Sequence, residues 1–314
     1  MKKKAIIISI KSYKLTLNEK KLIATEKPWG LILFKRNIKS FQQITKLIKQ
    51  IRKLSKDPFF PILIDEEGTE VSRLKKIINH NVSQKLFGDL YNINKNESLI
   101  IYKKYLINLS NVLKKIGVNI NTIPVLDVLR TNTNKIIGNR SFSSNPAIVS
   151  KLGKICVRQM KKEKLGTVIK HIPGHGCSKL DSHLDMPKVT TSLRELNKID
   201  FNPFKNNLSQ FAMTAHILYK KIDNKNVATF SKKIISSIIR NKIGFRGILI
   251  SDDISMKALK YDILTNAKKS LLAGCNLVLY CAGNIKDNFK LIKSMPYIDK
   301  FTQKKTSEIY KILR

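Results

Sequence analysis

The stretch GILISDD, Gly247 to Asp253, is a short apolar, β-branched run that ends in two acids. Its length and its glycine boundary read as a buried strand, Gly247 to Asp252, with Asp253 opening the loop beyond. Seven other runs have the same form: Ala5 to Ile10, Gly30 to Phe34, Pro61 to Asp65, Val118 to Ile123, Thr167 to His171, Phe211 to His216 and Leu277 to Cys281. Helical signals lie between them. Phe41, Ile44, Leu47, Ile48, Ile51 and Leu54 repeat at three and four, which puts one apolar stripe on a helix. Thr16 with Glu19 and Ser192 with Glu195 have capping-box spacing, Asn145 before Pro146 suits a helix start, and Gly274 suits a helix end. No linker, low-complexity tract or internal repeat interrupts the alternation. Strand then helix, eight times over, predicts an α/β fold: a single (β/α)8 TIM-type barrel filling residues 1–314 as one domain.

Composition narrows the functional classes. The chain has no run of about 18 apolar residues, so no membrane span is expected. Its start, MKKKAIIISIKSY, has too short an apolar run for a signal peptide, and Lys11 interrupts it. Cys156, Cys177, Cys275 and Cys281 show no CxxC spacing, which agrees with a reducing, cytoplasmic setting. The formal net charge of +38 would attract polyanions at low salt. The lysines are nevertheless spread over the whole length, without an arginine-rich arm or a basic stripe interleaved with aromatics. No nucleic-acid partner is therefore expected, and a basic nucleic-acid-binding barrel stands only as a rival reading.

Charged groups recur where the runs end. Asp65, Lys170 with His171, His216 and Asp252 all stand at C-terminal strand ends, where barrel enzymes place their chemistry. Beyond the fifth run lies KHIPGHGCSKLDSHLDMP, Lys170 to Pro187, which holds three of the five histidines. His171, His175, Asp181 and His183 offer metal ligands, but Pro173, Gly174 and Gly176 remove the helix that HxxxH spacing presupposes. An acid/base reading is also open: Asp181 can fix the tautomer of His183 and leave its other nitrogen to handle a proton. Asp252 would then be a carboxylate nucleophile. Gly174 and Gly176 suggest a loop free to close on a substrate. The bland alternative, an ordinary exposed loop, fits DSH taken alone.

The segments PWGLILFKRN, IDEEGTEVSRL, NINTIPVLDV, GNRSFSSNP, KHIPGHGCSKLDSH, MTAHILY, GFRGILISDDISMKA and LLAGCNLVLYC, taken together and in order, resemble the family 3 glycoside hydrolases. The likeness runs from about Trp29 to Gly283 and is strongest to the compact bacterial β-N-acetylhexosaminidases of cell-wall recycling. It implies a retaining β-N-acetylglucosaminidase acting on anhydro-muropeptides. Asp252 would be the nucleophile and His183 the acid/base, oriented by Asp181. Asp65, Arg73, Arg140, Lys170 and His171 would hold the sugar, and His216 would support the site. It implies no cofactor and no metal, a small carbohydrate as the partner, and a monomer. A family 3 β-glucosidase, a phosphorylase and a metal-dependent hydrolase are the rival enzymes. The family usually reads DQEGGRV where this chain has DEEGTEV, with Glu66 for Gln, Thr69 for the second Gly and Glu70 for Arg. Loss of that glycine is expected to alter the turn if it needs positive φ, and Glu70 to reverse a charge near the pocket.

Overall fold

The computed structural model of the protein describes residues 2–78, 81–131, 133–134, 137–178 and 186–314. Its strands are β1 (Lys4–Ile8), β2 (Pro28–Leu33), β3 (Ile62–Ile64), β4 (Ile120–Asn121), β5 (Gly166–Ile172), β6 (Lys188–Val189), β7 (Phe211–Thr214), β8 (Leu218–Tyr219), β9 (Ile248–Asp253) and β10 (Leu277–Tyr280). Eight of them close a barrel in the order β1-β10-β9-β7-β5-β4-β3-β2, and β6 pairs with β8 in a separate two-stranded sheet. All barrel pairings are parallel. Each of the eight expected runs contributes one barrel strand, with ends that differ by no more than two residues, and β9 runs on through Asp253, which was expected to open the loop.

Period-two alternation divides the core into two shells. In β1, Ala5 and Ile7 face the barrel interior with Trp29, Leu63, Val168, Phe211, Ile248 and Leu277, while Ile6 and Ile8 pack outward with the helices. Helix α1 (Leu17–Glu26) starts on the Thr16–Glu19 capping box, and α2 (Phe41–Ser55) buries Ile44, Leu47, Ile48 and Ile51. Phe41, counted on that stripe, is exposed, because it occupies the first turn beyond the packed surface. Outside the barrel follow α3 (Gln84–Ile93), α4 (Lys95–Ile116), α5 (Pro146–Lys162), α6 (Leu193–Lys198), α7 (Ile263–Ala273) and α8 (Ile285–Ser294). Asn145 caps α5 with Pro146 in its first turn, Ser192 caps α6, and Gly274 ends α7 at φ 116°.

The terminal helix α9 (Lys300–Leu313) helps to plug the end of the barrel opposite the site. Its Ile309 joins the interior shell, and its Thr306 hydroxyl accepts a 3.0 Å bond from the fully buried Trp29 indole. That plug leaves the C-terminal strand ends as the accessible mouth. Among the described residues no helix is long and apolar enough to cross a membrane.

Candidate active site

The same alternation decides which polar groups enter the mouth. In β9, Ile248 and Ile250 point inward, so Asp252 follows them into the pocket and Asp253 turns away. Asp253 is structural: its carboxylate accepts from Ser255 N–H at 3.1 Å, the Ser255 hydroxyl at 2.7 Å and Cys281 N–H at 3.2 Å, tying the end of β9 to that of β10. Asp252 Oδ1 accepts only its neighbour's N–H, at 2.8 Å, and Oδ2 has no partner among the described residues. Burial would raise the Asp252 carboxyl. His216, His171, the Asp253 N–H and Lys170 outweigh it and hold the group below the ordinary carboxylate range.

Asp65 follows β3 and meets cations from two other elements. Arg73 Nη2 lies 2.9 Å from Oδ2, Lys170 Nζ lies 3.2 Å from Oδ1, and the Thr122 hydroxyl donates to Oδ1 as well. Burial opposes ionisation here also, but Lys170, Arg73 and Thr122 hold the carboxyl well below its usual range. Glu67, which sequence reasoning missed, is the second hub. Arg140 binds it in a fork, Nε to Oε2 at 2.7 Å and Nη2 to Oε1 at 3.0 Å, and Lys170 Nζ lies 2.6 Å from Oε1. Burial raises the Glu67 carboxyl, and Arg140 and Lys170 reverse this, bringing it down to about 2.

Asp127, also missed, orients the histidines. Its buried carboxylate accepts from His171 Nδ1 at 2.8 Å and from the His175 N–H at 2.7 Å. A carboxylate only accepts, so His171 carries its hydrogen on Nδ1 and leaves Nε2 for a ligand. His216 is held differently. Its Nε2 faces the Asp253 carbonyl at 3.0 Å and must donate, and Nδ1 then accepts from the Thr229 hydroxyl at 2.7 Å. Both nitrogens are engaged, so His216 supports the end of β9 beside Asp252, and burial lowers its pKa.

These groups line one cavity of about 240 Å³: Asp65, Glu67, Arg73, Arg140, Lys170, His171, His175 and Asp252, with Val71, Ile137, Met213, Leu279 and Cys281 as its apolar walls. His216 adjoins the cavity without lining it. Asp181 and His183 lie outside the described residues. So do two of the four metal-ligand candidates; among the described residues no group of three or more His, Cys, Asp or Glu is arranged to hold an ion.

The departures in DEEGTEV have local explanations. Glu66 is buried, and its Oε2 accepts the N–H of Arg73 at 2.7 Å and of Leu74 at 2.9 Å. Thr69 is not among the residues at positive φ, so its turn accepts a side chain. Glu70 is exposed and accepts from the Asn139 amide at 2.9 Å, outside the cavity lining. The glycines beyond β5 serve close approach: a Cβ on Gly176 would sit 1.8 Å from the Val128 carbonyl, and one on Gly174 would sit 2.8 Å from the Asp200 Cβ.

The sequence profile described as the glycosyl hydrolase family 3 N terminal domain matches residues 3–307. The chain belongs to this family. A β-hexosaminidase of Hydrogenovibrio crunogenus is 34% identical over 282 residues, covering 88% of this chain and 78% of its own. NagZ of Neisseria gonorrhoeae, solved in complex with N-trifluoroacetyl-D-glucosamine, superposes with a TM-score of 0.88 at 28% identity, covering 98% of this chain and 90% of its own. The same protein solved with a zinc ion also superposes at 0.88 and 28% identity, with the same coverage. Family membership and the barrel put the charged mouth where glycosidic chemistry is expected.

Proposed function

We propose that this family 3 enzyme removes terminal, non-reducing β-linked N-acetylglucosamine with retention, through a covalent ester on Asp252. The chain is a glycoside hydrolase of the β-N-acetylhexosaminidase type. The observation that carries the finer reading is Asp252 itself: an ionised carboxylate on a barrel mouth, with one oxygen unpartnered among the described residues. In the first step an Asp252 oxygen bonds to the anomeric carbon as the glycosidic C–O bond breaks, and His183 gives its proton to the departing oxygen. In the second, His183 takes a proton from water, whose oxygen attacks the anomeric carbon and releases Asp252. Asp181 orients His183. The part of this pair rests on the DSH spacing and the family resemblance.

Substrate binding follows from the charge count. Three acids, Asp65, Glu67 and Asp252, face three cations, Arg73, Arg140 and Lys170. A cavity balanced in this way offers charged donors and acceptors to a neutral sugar without a net field against it. Each cation is already paired with Asp65 or Glu67, which favours water over phosphate as the second nucleophile. We place the natural substrate among peptidoglycan fragments carrying anhydro-N-acetylmuramic acid, and the enzyme in the cytoplasm as a monomer of one domain.

The test is release of 4-nitrophenol from its β-N-acetylglucosaminide and β-glucoside, for wild type and Asp252→Ala, in chelator, with and without phosphate. Turnover of the N-acetyl substrate without phosphate is expected, reduced about a thousandfold or more in the variant. Undiminished turnover by Asp252→Ala would sink the assignment, and a phosphate requirement would move the enzyme to the phosphorylases.

A further inference from the structure

The segment PWGLILFKRN has no part in the chemistry above, yet its last residues reach the site. Phe34 directly follows β2 and is half-buried at the barrel mouth. Its ring is flanked by two guanidinium groups: Arg36 Cζ lies 4.7 Å from the centroid and Arg73 Cζ lies 5.1 Å from it. The two arginines are held very differently. Arg36 Nε donates to the Ile10 carbonyl at 3.1 Å, and its Nη2 donates to the Ser9 hydroxyl at 2.8 Å and to the Cys281 carbonyl. It therefore bridges the segments that follow β1 and β10, where the barrel closes on itself. Gly283 leaves space for it, since a Cβ there would come within 2.9 Å of Arg36 Nη2. Asn37 backs the arrangement by donating from Nδ2 to Ile10 and Ser12 carbonyls, each at 3.0 Å, while its Oδ1 accepts the Phe34 N–H at 2.9 Å.

Arg73 has a single side-chain bond among the described residues, Nη2 to Asp65, and its Nε is buried without a hydrogen-bond partner. A guanidinium with one bond can pivot about it. The ring of Phe34 opposes that pivot through cation–π attraction. The asymmetry identifies Arg36 as the anchor, Phe34 as the spacer and Arg73 as the group being placed.

We infer that Phe34 and Arg36 are positioning residues that set the Arg73 guanidinium against the sugar, so that the FKRN segment acts on substrate affinity through a residue it contacts. This inference rests on the proposed role of Arg73 in sugar binding. Phe34→Leu keeps apolar bulk but removes the aromatic face; Phe34→Tyr keeps both.

Steady-state kinetics on the 4-nitrophenyl N-acetylglucosaminide should show KM raised roughly fivefold in Phe34→Leu, the scale of one partly desolvated cation–π contact. kcat and the unfolding midpoint should change little, and Phe34→Tyr should behave as wild type. An unchanged KM in Phe34→Leu, or a fall in kcat and thermal stability without a KM effect, would overturn the inference. Asp252→Ala, measured alongside, separates failure of positioning from failure of the glycosidase reading. A second readout needs no turnover: the Arg73 Nε–H resonance, assigned by its loss in Arg73→Lys, should exchange faster with solvent in Phe34→Leu than in wild type. Equal exchange would also overturn the inference.

Discussion

Glu67 holds two of the three pocket cations, which makes it the residue on which the charge balance of the site turns. Its folded pKa of about 2 lies below the ordinary 4.5, so it contributes stability that is fully present above the unfolded value and is lost as pH falls through the folded one. Glu67→Gln should therefore cost roughly 3 kcal/mol at neutral pH, because Arg140 and Lys170 keep their charge with one hub removed. Urea unfolding at pH 7 and pH 3 checks the sign: the gap between wild type and variant should narrow at the lower pH, and a constant gap would assign the loss to packing. Neither Glu67 nor Asp127 was legible in advance. Three successive acids in IDEEG leave the strand at its end, where alternation stops saying which side chain points inward. Asp127 lies beyond a strand only two residues long. Charge balance is the available signal for Glu67, since the resemblance brings three cations, Arg73, Arg140 and Lys170, to a sugar site with only Asp65 and Asp252 as acids beside them. Asp252 was readable because it ends a strand at the barrel mouth and sits in the motif that resembles the family's, and the alternation through Ile248 and Ile250 is what carries it inward.

At the scale of elements, the segment from Glu66 to Leu74 is closed by one carboxylate oxygen. Glu66 Oε2 accepts both the Arg73 and Leu74 N–H groups, and Asn121 contributes its Oδ1 to the Glu66 N–H at 3.0 Å. These two bonds need an acceptor and no charge, so an amide oxygen can replace the carboxylate oxygen in them. Glu66→Gln keeps an acceptor for both N–H groups and should lose less stability than Glu66→Ala, which leaves two backbone donors unmet and should cost about 2 to 4 kcal/mol. A thermal melt on both variants tests this, and equal losses would show that the side chain's bulk matters more than its acceptor. The eight barrel strands were legible because each falls on a dense, β-branched apolar run of five or six residues. The β6–β8 sheet was not: each partner is two residues long, too short to carry a period, and their pairing joins segments far apart in sequence. The nine-residue π-helix Ile234–Lys242 carries an apolar stripe of Ile234, Ile235, Ile238 and Ile239, a spacing that an α-helix would share. Pattern alone does not separate the two.

Over the whole molecule, a net charge of +38 surrounds a cavity whose three acids and three cations cancel. The excess charge therefore acts outside the sugar pocket, at the range where salt screens it within about 10 Å at 0.1 M ionic strength. Such a field cannot select N-acetylglucosamine, a neutral ring, but it can raise the encounter rate of a substrate whose remaining part is anionic. Two substrates separate the contributions. For a muropeptide bearing lactyl and peptide carboxylates, kcat/KM should fall severalfold as salt is raised from about 20 mM to about 500 mM; for the neutral 4-nitrophenyl glycoside it should change less than about twofold. kcat should stay level for both, since the bound sugar sees the balanced cavity and not the surface. Matching salt profiles would show that the surface lysines take no part in capture and that the charge serves some end other than this reaction.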